Sequence, residues 1–358
     1  MKIKIGDITK IRTGKLDANA ADENGQYPFF TCSKEPLKIN TYSYDCECVL
    51  VAGNGDINVK YYNGKFDAYQ RTYIIEDDSD GLLFMPYLYF FMESYIDELR
   101  KQSIGGVIKY IKLKNLTDAL IELPSIEVQR KIVNIISKAK EIVRRKENEF
   151  ELLDELVKAR FVEMFGDPVI NDKKWPTVSV ENLCDEIYGG GTPSKAHEEY
   201  YENGDIPWVS SKDMKTDVVT DSQIKINQLG IENSTARLVP VNSVIMVIRS
   251  GILKHTLPVA INAVPITVNQ DLKVFVPGNK ITSRFLAAQF KMQEKSILFG
   301  VRAVTADNIE FNSLKARRMI VPPLELQNQF ASFVEEVDKS RLHEQLAVEY
   351  VKLLAKDL

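Results

Sequence analysis

Two copies of a mixed α/β domain, each followed by one long helix, are what this sequence predicts, and three observations predict them. The phrase LPSIEVQRKIVNII near residue 124 returns as PPLELQNQFASFV near residue 322, so that Pro124 aligns with Pro322, Ile126 with Leu324, Glu127 with Glu325, Val128 with Leu326 and Gln129 with Gln327. Both copies open a stretch with helical periodicity. Each such stretch follows a longer block, and the two blocks list the same kinds of segment in the same order. A repeat on this scale decides the architecture before any local feature does.

The blocks are residues 1–124 and 166–323, and the helical stretches are 125–165 and 324–358. The short opening strands are KIKIGDI at 2–8 and PTVSVENL at 176–183. Next come the aromatic proline turns, YPFFTCSK at 27–34 and IPWVSSKD at 206–213, and the apolar runs ending in glycine, VLVAGNG at 49–55 and VIMVIRSG at 244–251. Runs of this kind read as buried strands. AYQRTYII at 68–75 and TVNQDLKVF at 267–275 each place polar residues before a further strand. The helical segments MPYLYFFMESYI at 85–96 and TSRFLAAQFKMQ at 282–293 come next.

In the first long helix Val128, Ile132, Ile135, Ala139 and Ile142 alternate spacings of four and three; the stripe resumes at Leu152, Leu153 and Leu156. That is a heptad-like seam. Ser125 and Glu127 mark its start, and Gly166-Asp167-Pro168 its end. The second carries Leu326, Phe330, Phe333, Val337, Ala347, Val351 and Leu354. Neither helix hides its stripe alone, so the two are expected to pack together.

The chain has 358 residues, is 44% hydrophobic and has net charge −4. That length predicts two or three units. No block is strongly basic, which excludes nucleic-acid binding by charge alone but not the reading of bases in a groove. No apolar run reaches the ~18 residues of a membrane span, and MKIKIGDITK lacks a signal peptide's apolar stretch, so a cytoplasmic location is expected. Cys32, Cys46, Cys48 and Cys184 form no CxxC pair, and with three histidines a structural zinc site is not expected. There is no N/D-P-P-Y/F tetrapeptide. Gly189-Gly190-Gly191-Thr192-Pro193-Ser194-Lys195 misses the GxxxxGK[ST] spacing. No catalytic residue, cofactor or metal is predicted.

Taken together, the duplicated P-[SP]-[IL]-E-[VL]-Q phrase, the helix exit ARFVEMFGDP at 159–168, and GGGTPSKAHEEYYENGDIPWVSSKDM at 189–214 resemble the specificity subunit of type I restriction-modification systems over essentially the whole chain. The resemblance implies that each block is a target recognition domain for half of a split DNA sequence. It implies that the helices run antiparallel as spacers with an internal pseudo-two-fold repeat. It further implies two methyltransferase subunits, with restriction subunits joining through the complex. The rivals are an autonomous DNA-modifying enzyme and a repeat scaffold that binds protein only. One departure is that the second helix has no equivalent of the Phe161–Phe165 segment, which leaves that end shorter or completed by a partner.

Residue type singles out the candidate DNA contacts. Gln pairs bidentately with adenine and Arg with guanine, which points to Tyr69, Gln70 and Arg71, and to Asn269 and Gln270 in the matching place. Asn54 lies in a glycine turn, and Lys60, Tyr61 and Tyr62 interleave cations with aromatics; a plain hairpin with strand-forming tyrosines is the alternative. Arg249, Ser250, Lys254 and His255 occupy the corresponding loop. Thr31, Ser33 and Lys34 come after one aromatic turn, and Ser210, Ser211 and Lys212 after the other. Thr192, Ser194 and Lys195 suit phosphate contacts. Lys109 and Arg302 come after glycine turns before the last strand of each block.

Overall fold

A computed structural model describes residues 2–299, 301–303 and 307–356, without the side chains of 302, 303, 307, 343, 350 and 352–356. The chain forms two units, one running through Arg145 and joined by the end of the last helix from Ala347, the other Lys146–Leu346.

The first unit contains β1 (Lys2–Lys4), β2 (Thr9–Thr13), β3 (Tyr27–Phe30), β4 (Leu37–Ile39), β5 (Tyr44–Ala52), β6 (Val59–Ala68), β7 (Thr72–Asp77) and β8 (Leu120–Glu122). β1 pairs antiparallel with β8, returning the chain start to the segment before the long helix. A six-stranded sheet runs β2-β7-β5-β6-β3-β4. Cys48 to Ala52 are all buried because β5 is covered on both faces. Val49 and Val51 join Leu88 and Met92 of the helix Met85–Ser94; Cys48 and Leu50 join Phe30, Phe66 and Ile74. Double coverage explains a continuous apolar run where an exposed face would require alternation.

The second unit repeats this wiring with β9 (Thr177–Ser179), β10 (Cys184–Gly189), β11 (Ile206–Val209), β12 (Val218–Val219), β13 (Lys225–Ile226), β14 (Val244–Val247), β15 (Val259–Asn262), β16 (Thr267–Val268), β17 (Leu272–Pro277), β18 (Arg302–Ala303), β19 (Asp307–Asn308) and β20 (Arg318–Ile320). β9 pairs with β20 as β1 does with β8. The order β10-β17-β14-β15 parallels β2-β7-β5-β6, with β12 added beyond β15. Phe29 and Phe30 of β3 pair in parallel with Asp67 and Ala68; Trp208 and Val209 of β11 pair in parallel with Thr267 and Val268. The copies differ where β6 is continuous but its counterpart is split into β15 and β16. Pro265 lies between those two strands, and proline has no N–H to donate to a ladder.

The central helix Ile126–Phe165 has 40 residues and the C-terminal helix Leu324–Lys356 has 33. Within the second unit they run antiparallel: Lys146 pairs with Glu344, Asp154 with Arg341, and the Phe161 ring meets Phe330 at 5.5 Å. Phe161, Phe165, Phe285 and Phe330 are fully buried against one another. The helix exit read from ARFVEMFGDP thus anchors the central helix in the second unit's core. It ends at Gly166, whose φ is +75°.

The repeated phrase has a structural reason. Gln129 is fully buried; its Oε1 accepts from the Phe84 N–H at 2.8 Å, and its Nε2 donates to the carbonyls of Leu82 and Pro124, both at 2.8 Å. Gln327 does the same in the other copy, accepting from the Thr282 N–H at 2.9 Å and donating to Lys280 at 3.1 Å and Pro322 at 2.9 Å. Each amide engages its acceptor and both donor hydrogens. Each therefore fastens the first turn of a long helix to the segment that opens the shorter helix of its unit.

Candidate nucleic-acid interface

In the first unit the segments 31–33, 53–58 and 69–71 come together through short polar bonds. Cys32 Sγ donates to Asn54 Oδ1 at 2.8 Å, Asn58 Nδ2 donates to the Cys32 carbonyl at 2.9 Å, and the Gly53 N–H donates to the Arg71 carbonyl at 2.8 Å. The turn through Tyr69 is held by its N–H on the Phe30 carbonyl at 3.0 Å and by the Gln70 N–H on the Leu16 carbonyl at 2.9 Å. Gln70 and Arg71 are exposed. Among the described residues neither side chain has a hydrogen bond or ion pair. They line an open cleft of about 300 Å³ with Thr13, Gly53, Tyr73 and Ile111.

Other predicted residues there have protein partners. Thr31 is buried and bonded to Ser33 Oγ at 2.8 Å, and Ser33 Oγ donates to the Glu35 carbonyl; Lys34 is exposed. Lys60, Tyr61 and Tyr62 lie in β6, not in a loop. Lys60 Nζ donates to Asn58, and burial lowers its pKa. Tyr61 donates to Glu47 at 2.6 Å; burial first, then that bond, pushes its phenol up to about 12. Tyr62 packs on Phe30 and Phe66. Lys109 is exposed beside Asn54, its carbonyl accepting from the Gly55 N–H at 2.9 Å.

The second unit brings 190–192, 209–213, 248–250 and 269–271 together. The Asn269 N–H donates to the Val209 carbonyl at 2.9 Å, as Tyr69 does to Phe30. Gly190 sits so close that a Cβ would stand 1.8 Å from the Val268 carbonyl oxygen; Gly14 meets Ala68 in the same way at 2.2 Å. Only glycine admits such an approach. Asn269 is buried, its Oδ1 accepting from the Asp271 N–H at 3.1 Å, which leaves Gln270 as the exposed member of the pair. Thr192 donates to Gln270 Oε1. Arg249 Nε donates to Asp271 Oδ1 at 2.7 Å. Asp271, directly after Asn269-Gln270, is not among the residues expected from sequence; the adjacency NQD is its only signal there.

Ser210 donates through both N and Oγ to Asp213, at 2.9 and 2.8 Å; Ser211 is half-buried and Lys212 exposed. Ser250 Oγ caps Ile252, and Lys254 and His255 are exposed at the end of the single turn Gly251–Lys254. Ser194 and Lys195 are exposed. The backbone of Arg302 pairs with Asn308, while its side chain lies outside the described residues. A cleft of about 480 Å³ that includes Val218, Asn242, Asn262, Arg284 and Glu335 in its lining contains none of the candidates. Among the described residues no His/Cys/Asp/Glu group is arranged to hold a metal, and no helix is long and apolar enough to cross a membrane.

The class defined by this fold is a tandem α/β protein that presents one loop-bearing domain twice. Its sequence matches the type I restriction modification DNA specificity domain over residues 1–152 and 172–349, and the chain belongs to that family. It is 45% identical over 123 residues to the type I restriction enzyme EcoDI specificity subunit of Escherichia coli, covering 34% of this chain and 27% of that protein. It is 28% identical over 276 residues to the EcoR124I/EcoR124II specificity subunit of the same organism, covering 73% of this chain and 65% of that one. The chain thus spans less than two thirds of each of these relatives. The crystal structure of a type I restriction-modification S subunit from M. genitalium superposes with a TM-score of 0.63 at 13% identity, covering 100% of this chain and 94% of that one, a likeness of fold.

Proposed function

We propose that the chain is the DNA sequence-specificity subunit of a type I restriction-modification complex. It binds a bipartite double-stranded target and directs adenine methylation and restriction by partner subunits, with no active site of its own. The carrying observation is the exposed, unpartnered Gln70–Arg71 pair beside an open cleft, with Gln270 at the equivalent turn of the other copy. Gln and Arg are the side chains whose paired donors and acceptors distinguish adenine and guanine in the major groove. Residues 1–124 and 166–323 act as the two target recognition domains, and 125–165 and 324–358 as the spacer helices. Two methyltransferase subunits dock on the outer helix faces, where Val128, Ile135 and Ile142, expected from their spacing to lie in the seam between the helices, are instead 41%, 49% and 47% exposed; restriction subunits join through that assembly. The complex acts in the cytoplasm.

The test is to map methylated adenines in the host genome and assay the assembled complex on the mapped sequence. Replacing Gln70 and Arg71 with alanine relaxes preference at one half-site by about 1–3 kcal/mol per lost bidentate contact and leaves the other unchanged. Unchanged specificity in a folded variant removes this pair from the reading surface. Methylation or cleavage by the purified chain alone supports the autonomous-enzyme alternative instead.

A further inference from the structure

The turns that carry Gln70 and Gln270 correspond bond for bond. In the first unit the Gly53 N–H donates to the Arg71 carbonyl at 2.8 Å, the Ile111 N–H donates to the Gly53 carbonyl at 2.9 Å, and Asn54 forms a single antiparallel bridge with Tyr110. In the second unit the Ile248 N–H donates to the Asp271 carbonyl at 2.8 Å, the Ile309 N–H donates to the Ile248 carbonyl at 2.8 Å, and Arg249 bridges Asn308 in the same sense. Strand register agrees, with Ala52 opposite Thr72 and Val247 opposite Leu272. Asp271 therefore stands at the place of Arg71, and Arg249 at the place of Asn54. The glutamine is kept, but the arginine has moved from the turn to the neighbouring loop, and an acid has taken its former place.

The displaced arginine is held. Its Nε donates to Asp271 Oδ1 at 2.7 Å, and its Nη2 lies 2.6 Å from the same oxygen. Asp271 is fixed in turn by Asn269: its N–H donates to Asn269 Oδ1 at 3.1 Å, and its Oδ2 accepts from Asn269 Nδ2 at 3.3 Å. A guanidinium carries five N–H donors. The aspartate takes the Nε side and leaves the Nη1–Nη2 edge without a partner among the described residues. The arginine side chain is 47% exposed and the carboxylate 25%. So exposed a pair adds little to stability. Its effect is geometric, because it aims a long side chain that would otherwise sample many rotamers.

We propose that Arg249 reads a guanine in the half-site of the second unit through its Nη1–Nη2 edge, and that Asp271 positions it without touching DNA. This rests on the sequence-reading function proposed above. Guanine presents O6 and N7 side by side in the major groove, and the paired donors of a guanidinium edge match both. A bare carboxylate at Asp271 would repel the phosphates; as the anchor of Arg249 it orients a donor instead. The two units thus bring the same chemistry to their half-sites from different positions, Arg71 from the turn and Arg249 from the loop beside it.

The experiment uses the full chain assembled with its methyltransferase subunits. The duplexes carry the mapped target with 7-deazaguanine, which lacks N7, stepped through every guanine. The wild type should lose affinity several-fold at one or more guanines in each half-site. Arg249→Ala makes one of these positions indifferent to the replacement and leaves the other half-site's response intact; Arg71→Ala does the converse. Arg249→Lys does not restore the response, because an ammonium lacks the paired edge. Asp271→Asn separates positioning from a role in charge or structure. Loss of an acid should tighten binding to scrambled duplex, yet the response at the Arg249 guanine should fall by at least half. Both side chains reach solvent, so melting temperature and subunit assembly should match the wild type. If Arg249→Ala weakens target and scrambled duplex alike and keeps every 7-deazaguanine response, Arg249 is a phosphate contact and the proposal is overturned. It is equally overturned if Asp271→Asn loses preference for a cytosine while the guanine responses persist, since the carboxylate is then the reader. Discrimination of target from scrambled duplex with no guanine response dependent on Arg249 overturns it and leaves sequence reading intact. Failure of the wild type to discriminate at all removes the sequence-reading function, and this assignment with it.

Discussion

At the scale of single residues, Gln129 and Gln327 matter most to how each unit holds its helix. Gln129→Ala leaves the Phe84 N–H and the Leu82 and Pro124 carbonyls without their partner in a buried place. A stranded buried polar group costs about 1–3 kcal/mol, so the variant should lose at least ~2 kcal/mol in urea unfolding. Gln129→Glu should be no better, because a carboxylate accepts from Phe84 but has no hydrogen for the two carbonyls. Cys184 supplies a second check. Burial, then the Asp185 charge, raises its thiol from the ordinary 9.0 to about 12. The unfolded chain releases this proton near the ordinary value while the native chain keeps it. The contribution is therefore intact below about 9 and lost as pH rises toward 12. Unfolding midpoints measured from pH 8 to 11 should fall more steeply for the wild type than for Cys184→Ser. The glutamines are visible in sequence as part of a repeated phrase at the start of each helix. Their bonds are not visible there, because the partners other than Pro124 and Pro322 lie 45 and 47 positions upstream in each copy. Gln70 stands out in sequence by its chemistry, and the fold adds that it is exposed at a cleft. The engagement of Asn269 with Asp271, and of Tyr62 with Phe30, depends on packing that residue type does not encode.

At the scale of elements, the long helices are legible because a period of three and four sustained over many turns suits a helix and no strand. The strands β2 and β10 are not: TKIRT and CDEIYG are short and only partly buried, and their pairing with β7 and β17 comes from distant segments. The Lys60–Tyr62 segment shows the ambiguity, since its alternation serves a strand and a cation–aromatic loop equally well. Two kinds of contact join the helices, and their energies should differ. Phe165→Ala opens a cavity among four buried rings and should cost about 3–5 kcal/mol. Glu344→Gln removes a partly exposed ion pair to Lys146, which keeps Glu149, and should cost under ~1 kcal/mol, less at high salt. Denaturant titrations of both variants at two salt concentrations check the contrast. A large loss for Glu344→Gln would mean that charge, not the aromatic quartet, holds the pair.

At the scale of the whole molecule, the proposed spacer role makes a geometric prediction. Adding four residues after Ile142 lengthens the central helix by about 6 Å and rotates its downstream part by roughly 40°. B-DNA rises about 3.4 Å per base pair, so the preferred gap between half-sites should change by one or two base pairs with both half-site sequences unchanged. The inserted turn also shifts the heptad seam, so assembly with methyltransferase is checked first. A folded, assembled variant that still methylates only the original gap would refute spacing by the helices. Both glutamine joints bear on heredity as well. Every partner of Gln129 and Gln327 is a backbone atom, so the fastening does not depend on the side chains of the segment it grips. Those side chains are free to diverge while the joint persists. A crossover between two genes that both encode this joint, within the codons for Pro124–Gln129 or Pro322–Gln327, would unite a foreign head with a resident helix through one common fitting. New combinations of heads would then arise by recombination in one step, without compensating mutations at the seam.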